Sequence, residues 1–175
     1  MILGLDISTS ITGYTLIDGD KIILNAAWDT RKYKDFFEKV IHVKAGLEEV
    51  CEQYGEQIEA VYIEQSLQSF RSGFSSAKTL STLSRFNGIV SWIVFDQYKI
   101  KPEYLAATSA RKLCGIKIPR GLKAKAVVLK YLLDNEPSFV IDYTSHGNPK
   151  PESYDRADSL VIAKAGVICE ARSSK

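Results

Sequence analysis

Ile2-Leu3-Gly4-Leu5-Asp6-Ile7-Ser8-Thr9-Ser10-Ile11-Thr12-Gly13-Tyr14 is the stretch on which the reading of this chain turns. An apolar run leads straight into an acid, the pattern of a strand covered on both faces that ends at a polar rim. It returns at Ala60-Val61-Tyr62-Ile63-Glu64, a second apolar run closed by a carboxylate. If the two strands are parallel neighbours, Asp6 and Glu64 stand side by side. Two more acids, Asp155 and Asp158, lie three apart in Ser153-Tyr154-Asp155-Arg156-Ala157-Asp158-Ser159-Leu160-Val161-Ile162-Ala163. On a helix that spacing places both on one face. Four carboxylates brought together repel and shift one another's ionisation, a conflict that a divalent cation resolves. An all-oxygen donor set suits Mg²⁺ or Mn²⁺, so the pattern points to metal-dependent phosphoryl transfer.

The rest of the composition is compatible with that chemistry and excludes other classes. A chain of 175 residues is expected to form one domain, residues 1–175. It is 45% hydrophobic and 25% charged, enough for a core without staples. Cys51, Cys114 and Cys169 are far apart and form no C-x-x-C pair, which argues against zinc and for reduced thiols in a cytoplasmic protein. No basic-then-apolar leader opens the sequence, and the longest apolar stretch, 89–95, is far short of the ~20 residues of a membrane helix. The net charge is only +2, but its distribution is uneven. Residues 104–133 contain no acid and carry Arg111, Lys112, Lys117, Arg120, Lys123, Lys125 and Lys130. Alone, such a window reads more readily as a solvated basic face; beside four acids it reads as a polyanion surface with a metal site set into it.

Strands are expected at residues 1–7, 12–17 and 21–27, the last two joined by the turn Asp18-Gly19-Asp20. A helix follows over 33–54, with Phe36, Phe37, Val40, Val43, Leu47 and Val50 inward and Gly55 at its end. Then come a strand at 60–64, a polar loop at 65–76 and a helix over 77–98. That helix turns Leu80, Leu83, Phe86, Val90, Ile93 and Val94 inward, with Trp92 and Phe95 widening the apolar arc. A short strand at 103–107, a helical turn at 109–114, a helix at 122–133, a surface loop at 138–151 and a final helix at 153–172 complete the order. This order predicts an α/β fold: a mixed five-stranded sheet, a three-strand meander plus two further strands, with helices on both faces.

Three of these segments together resemble the RuvC-type Holliday junction resolvases, members of the RNase H-like superfamily. Gly4-Leu5-Asp6 through Thr12-Gly13-Tyr14 is similar to their opening motif, Tyr62-Ile63-Glu64-Gln65 to their second, and Asp155-Arg156-Ala157-Asp158 with its apolar continuation to their last. Their order, spacing and total length agree over nearly the whole chain. The resemblance implies an RNase H-like fold, a homodimer, and paired nicking of branched DNA that leaves 5′-phosphate and 3′-hydroxyl ends. It also implies two metal ions per site, with Asp6 between them, Glu64 on one, and Asp158 with Asp155 completing the set. Lys125 resembles the family's lysine that faces the scissile phosphate, with Lys123 as the competing choice. The sequence departs from the family where Asp6-Ile7-Ser8 replaces the common Asp-Pro-Gly, which predicts a looser turn, and where Leu67 takes a position often aromatic. A viral member acting on several branched structures, forks and flaps included, fits those departures.

Arg111, Lys112, Lys117, Arg120, Lys123 and Lys125 are the candidate phosphate contacts. In Gln68-Ser69-Phe70-Arg71-Ser72-Gly73-Phe74, the residues Phe70, Arg71 and Phe74 are candidates for stacking on unpaired bases, although Phe74 would serve equally as a hydrophobic staple. The wide apolar arc of the 77–98 helix suits a two-fold dimer contact. His146, in a Gly/Pro loop, reads as an exposed bystander or a proton shuttle. Two other readings stay open. The first phosphate loop of the actin and sugar-kinase group also looks like residues 4–10, and a non-catalytic junction-binding protein could keep the same fold.

Overall fold

The computed structural model describes residues 1–65 and 77–173. A five-stranded sheet, in the order β3-β2-β1-β4-β5, is built from β1 (Ile2–Asp6), β2 (Ile11–Asp18), β3 (Lys21–Asp29), β4 (Ala60–Glu64) and β5 (Glu103–Leu105). The first three strands form an antiparallel meander, with β2 and β3 turning through Gly19 and Asp20. β4 pairs parallel with β1, and β5 parallel with β4. The five helices are α1 (Phe36–Tyr54), α2 (Ala77–Tyr98), α3 (Ala107–Leu113), α4 (Ala124–Asn135) and α5 (Glu152–Ser173).

Side-chain alternation along the strands sorts the core into two layers. Leu3, Leu5, Leu16, Val61 and Ile63 point to one face, where α1 and α2 cover them with Val43, Leu47, Phe86 and Val90. Ile2, Ile17 and Tyr62 point to the other, where α5 and α4 cover them with Leu160, Ala163, Val128 and Leu132. The mixed sheet with helices on both faces is therefore as the sequence predicts. Among the described residues no helix is long and apolar enough to cross a membrane, and all three cysteines are free thiols.

The differences lie at element ends and on helix faces. α1 starts at Phe36 and not near 33, because the Asp35 carboxylate caps it, accepting from the amides of Phe37 (2.8 Å) and Glu38 (3.1 Å). Gly55 does not end α1 with a left-handed turn; it is right-handed and opens a short 3₁₀ turn. α4 begins two residues later than expected, with the backbone of Lys123 at its N-cap. Phe37 is 61% exposed, and Trp92 and Phe95 are 63% and 49% exposed, so none of the three belongs to the inward set. The 138–151 loop is less superficial than its composition suggests: Phe139 and Ile141 are buried in the layer beneath α5.

α5 packs unusually close to the sheet, and glycine permits it. A Cβ on Gly4 would collide with the backbone of Ala163 and Ser159, and one on Gly13 with the carbonyl of Asp155. Since both glycines sit on the α5 face of their strands, the helix can lie almost on the backbone of β1 and β2.

Candidate active site

The pleat decides where the strand-end acids point. Asp6 follows Ile2 and Gly4 at intervals of two and so faces α5, and Glu64 follows Tyr62 onto the same side. Because Leu5 is paired with Ile63 in parallel register, Asp6 and Glu64 are level with each other at the ends of neighbouring strands. The first turns of α5 cross above that edge, where Gly13 meets the Asp155 carbonyl. Asp155 and Asp158 then share one cation: Lys125 Nζ lies 3.0 Å from Asp155 Oδ1 and 3.6 Å from Asp158 Oδ2. Both aspartates are largely buried, while the lysine side chain keeps 56% of its surface exposed.

Electrostatics show the four acids to be neighbours. Burial, then the charges of Glu64 and Asp158, hold the Asp6 carboxyl well above the ordinary aspartate range. Burial and Asp158 push Glu64 up to about 7, against the opposing pull of Lys125 and Arg111. Asp158 is raised in the same way, by burial and by Asp155. Burial works against the charge of Lys125, but Asp155 and Asp6 outweigh it and keep the ammonium above its usual value. The site thus holds more buried negative charge than its one lysine and nearby arginine offset. The donor set is all oxygen, the kind that suits a hard divalent cation. Among the described residues, no three acids, histidines or cysteines are already drawn into a closed ligand cluster. Lys125 sits between Asp155 and Asp158.

The turn after Asp6 is tighter than Ile7-Ser8-Thr9 suggests. The Ser8 side chain closes it: its hydroxyl donates to the Ile11 carbonyl (2.8 Å) and accepts from the amides of Ser10 (3.2 Å) and Ile11 (3.1 Å). Buried Thr30 donates to the carbonyls of Thr9 and Ser10, and Lys39 Nζ reaches the Thr9 carbonyl at 2.6 Å. A serine side chain here does what a proline and glycine do elsewhere.

Sequence reasoning missed the network that fixes α5. Thr15 Oγ1 and Ser159 Oγ are 2.9 Å apart in the core, and Asn25 Nδ2 donates to Thr15 Oγ1 and to the Arg156 carbonyl. Arg156 in turn donates to Asn25 Oδ1 and to the Val140 carbonyl. These residues interleave with Asp155 and Asp158, so they set the helix rotation that aims the acids. The only sequence signal was polar residues at inward positions of β2, where an apolar strand needs none.

Of the basic candidates, Arg111 acts on Glu64 and Asp158, and Lys125 contacts the acids directly. Lys112, Lys117, Arg120 and Lys123 are exposed along the 112–123 segment and touch none of the four acids through a hydrogen bond or ion pair. His146 is exposed, with Nδ1 at 3.3 Å from Ser145 Oγ. Phe70, Arg71 and Phe74 lie outside the described residues.

No protein-family model and no curated protein sequence matches the chain. Solved structures do match. Thermus thermophilus RuvC in complex with a Holliday junction substrate aligns with a TM-score of 0.68 at 17% identity, covering 99% of this chain and 96% of that one. A second Thermus thermophilus RuvC structure gives 0.64 at 18% identity over 98% and 96%. The yeast mitochondrial Holliday junction resolvase gives 0.63 at 15% identity over 99% and 80%. The chain thus shares its fold with these RuvC structures, the fold that the motifs lead one to expect.

Proposed function

We propose that the chain is a structure-selective DNA endonuclease of the RuvC type, which hydrolyses phosphodiester bonds at four-way junctions and at other branched DNA. One observation carries this reading: acids from two neighbouring parallel strands and from the helix above them converge at one sheet edge, beside an acid-free basic segment. A fold shared with proteins solved as junction resolvases supports it.

In this reading Asp6, Glu64, Asp155 and Asp158 hold Mg²⁺ or Mn²⁺, two ions per site. Such ions, when bound, lower the pKa of an attacking water and offset charge on the departing oxygen. The residues themselves do the rest. Glu64, with an ionisation midpoint near neutrality, is poised to give up its proton as a cation arrives. Lys125, half open to solvent, offers its ammonium to a phosphate oxygen and counters the charge that builds at phosphorus. Arg111 holds a flanking phosphate, and Lys112, Lys117, Arg120 and Lys123 extend the contact along the backbone, giving affinity without sequence readout. The products carry a 5′ phosphate and a 3′ hydroxyl.

Paired nicking needs two sites, and a homodimer supplies them. Exposed Trp92 and Phe95, three apart on α2, give an apolar stripe suited to a second copy, and Phe37 and Ile41 on α1 are exposed as well. The test is cleavage of a labelled four-way junction in Mg²⁺ or Mn²⁺, run beside flaps, forks and plain duplex. Asp6→Asn abolishes cutting and keeps junction binding. Cutting at near wild-type rate in that variant contradicts the assignment.

A further inference from the structure

We propose that a cleft beside the acids, between α3 and the 115–124 segment, seats an unpaired nucleotide of the bound DNA strand; this deepens the endonuclease reading and rests on it. The cleft is open to solvent on one side and offers about 370 Å³. Its floor is aliphatic, from buried Ile116 and partly buried Ile118 and Ala124, and its rim carries Arg111, Lys112 and Lys117.

Shape and chemistry narrow the occupant. A cavity of this size falls in the range that encloses small organic ligands, and a lone phosphate would leave most of it empty. Contacts to a duplex backbone need only convex lysines and arginines, because the phosphates project outward. A concave aliphatic floor inside a cationic rim matches a molecule with both an apolar face and an anion. A nucleotide whose base has left its stack is such a molecule: ring and sugar meet the isoleucines, and phosphate meets the cations. Paired DNA cannot enter, since its base faces are hidden. Flaps and forks provide nucleotides without partners, and a four-way junction does so where its centre is opened.

The wall of the cleft is fixed before DNA arrives. Gly115, at φ 72°, turns the chain left-handed after α3, and its amide donates to the Lys112 carbonyl (3.2 Å). The Ile116 amide donates to the Arg111 carbonyl (2.9 Å), and the Tyr131 hydroxyl to the Cys114 carbonyl (3.4 Å). Arg111 borders the cleft and its charge acts on Glu64 and Asp158, and Ala124, also in its lining, precedes Lys125, which contacts Asp155 and Asp158. A nucleotide held there therefore adjoins the phosphate to be cut.

The experiment is fluorescence anisotropy in EDTA, where no cutting occurs, with a short oligothymidylate, a plain duplex and a four-way junction as probes. Thr108→Trp fills the cleft from an exposed position on α3 and is expected to weaken oligothymidylate binding about tenfold while leaving duplex binding within about twofold. Ile118→Ser, which removes part of the floor, gives the same selective loss. Equal loss on single strand and duplex, or no loss, with both variants overturns the proposal and makes the cleft a simple backbone track. Failure of the endonuclease reading looks different: the wild-type protein then shows no preference for the junction over duplex and no cutting in Mg²⁺.

Discussion

Replacing Glu64 by glutamine should stabilise the metal-free protein, and the gain should grow with pH. The fold raises the Glu64 carboxyl from 4.5 to about 7, through burial first and the Asp158 charge second. A raised carboxyl favours the protonated form in the folded state. Its contribution to stability is therefore fully present below pH 4.5 and is lost as pH rises through about 7. Each pK unit corresponds to about 1.4 kcal/mol, so the ionised side chain costs up to about 3 kcal/mol above neutrality. Glutamine keeps the shape and never ionises. For a chain of this size, 3 kcal/mol corresponds to a Tm difference of roughly 6–12 °C. The assay is thermal unfolding of wild type and Glu64→Gln in EDTA, at steps from pH 4.5 to 8.5. The two melt together at the acid end and separate through the neutral range, with the variant higher. A variant that melts below wild type at pH 8, or a gap that does not widen with pH, refutes the claim that the site stores unrelieved negative charge.

Lys125→Ala should slow junction cutting by about 10²–10³-fold, measured under single-turnover conditions, because it removes the one ammonium beside the reacting phosphate. Gly13→Ala should cost roughly 1–3 kcal/mol in denaturant unfolding and displace α5, since the new methyl overlaps the Asp155 carbonyl; unchanged stability would mean that the helix has room. If the chain forms the proposed homodimer, Trp92→Glu should convert it to a monomer at micromolar concentration by light scattering while leaving the subunit's circular dichroism unchanged, because the side chain is 63% exposed in one subunit.

The parts of this account that were readable from sequence share a physical cause. β1 and β4 are apolar throughout and end in acids, so burial makes both strands readable, while the parallel pairing that sets Asp6 level with Glu64 comes from the structure. Asp155 and Asp158 follow from helical periodicity. What was not readable depends on three-dimensional neighbours. Phe37, Trp92 and Phe95 satisfy the spacing of an inward face yet lie outside it, since α1 and α2 each meet the sheet along a narrower stripe than their apolar arc. Ser8 reads as a loosening substitution but closes its turn through three hydrogen bonds, a local geometry that composition does not encode. The Thr15–Ser159–Asn25–Arg156 network joins β2, β3 and α5 across more than a hundred residues of chain, beyond the reach of any local pattern.

The central claim is that carboxylates from β1, β4 and α5 take up divalent cations together. Crystals grown with Mn²⁺ and examined by anomalous scattering test it most directly. The account predicts anomalous peaks about 2 Å from carboxylate oxygens of Asp6, Glu64 and the Asp155/Asp158 pair, and their loss in Asp6→Asn. Peaks absent from this sheet edge, with Lys125 still bridging Asp155 and Asp158 at saturating Mn²⁺, would contradict it.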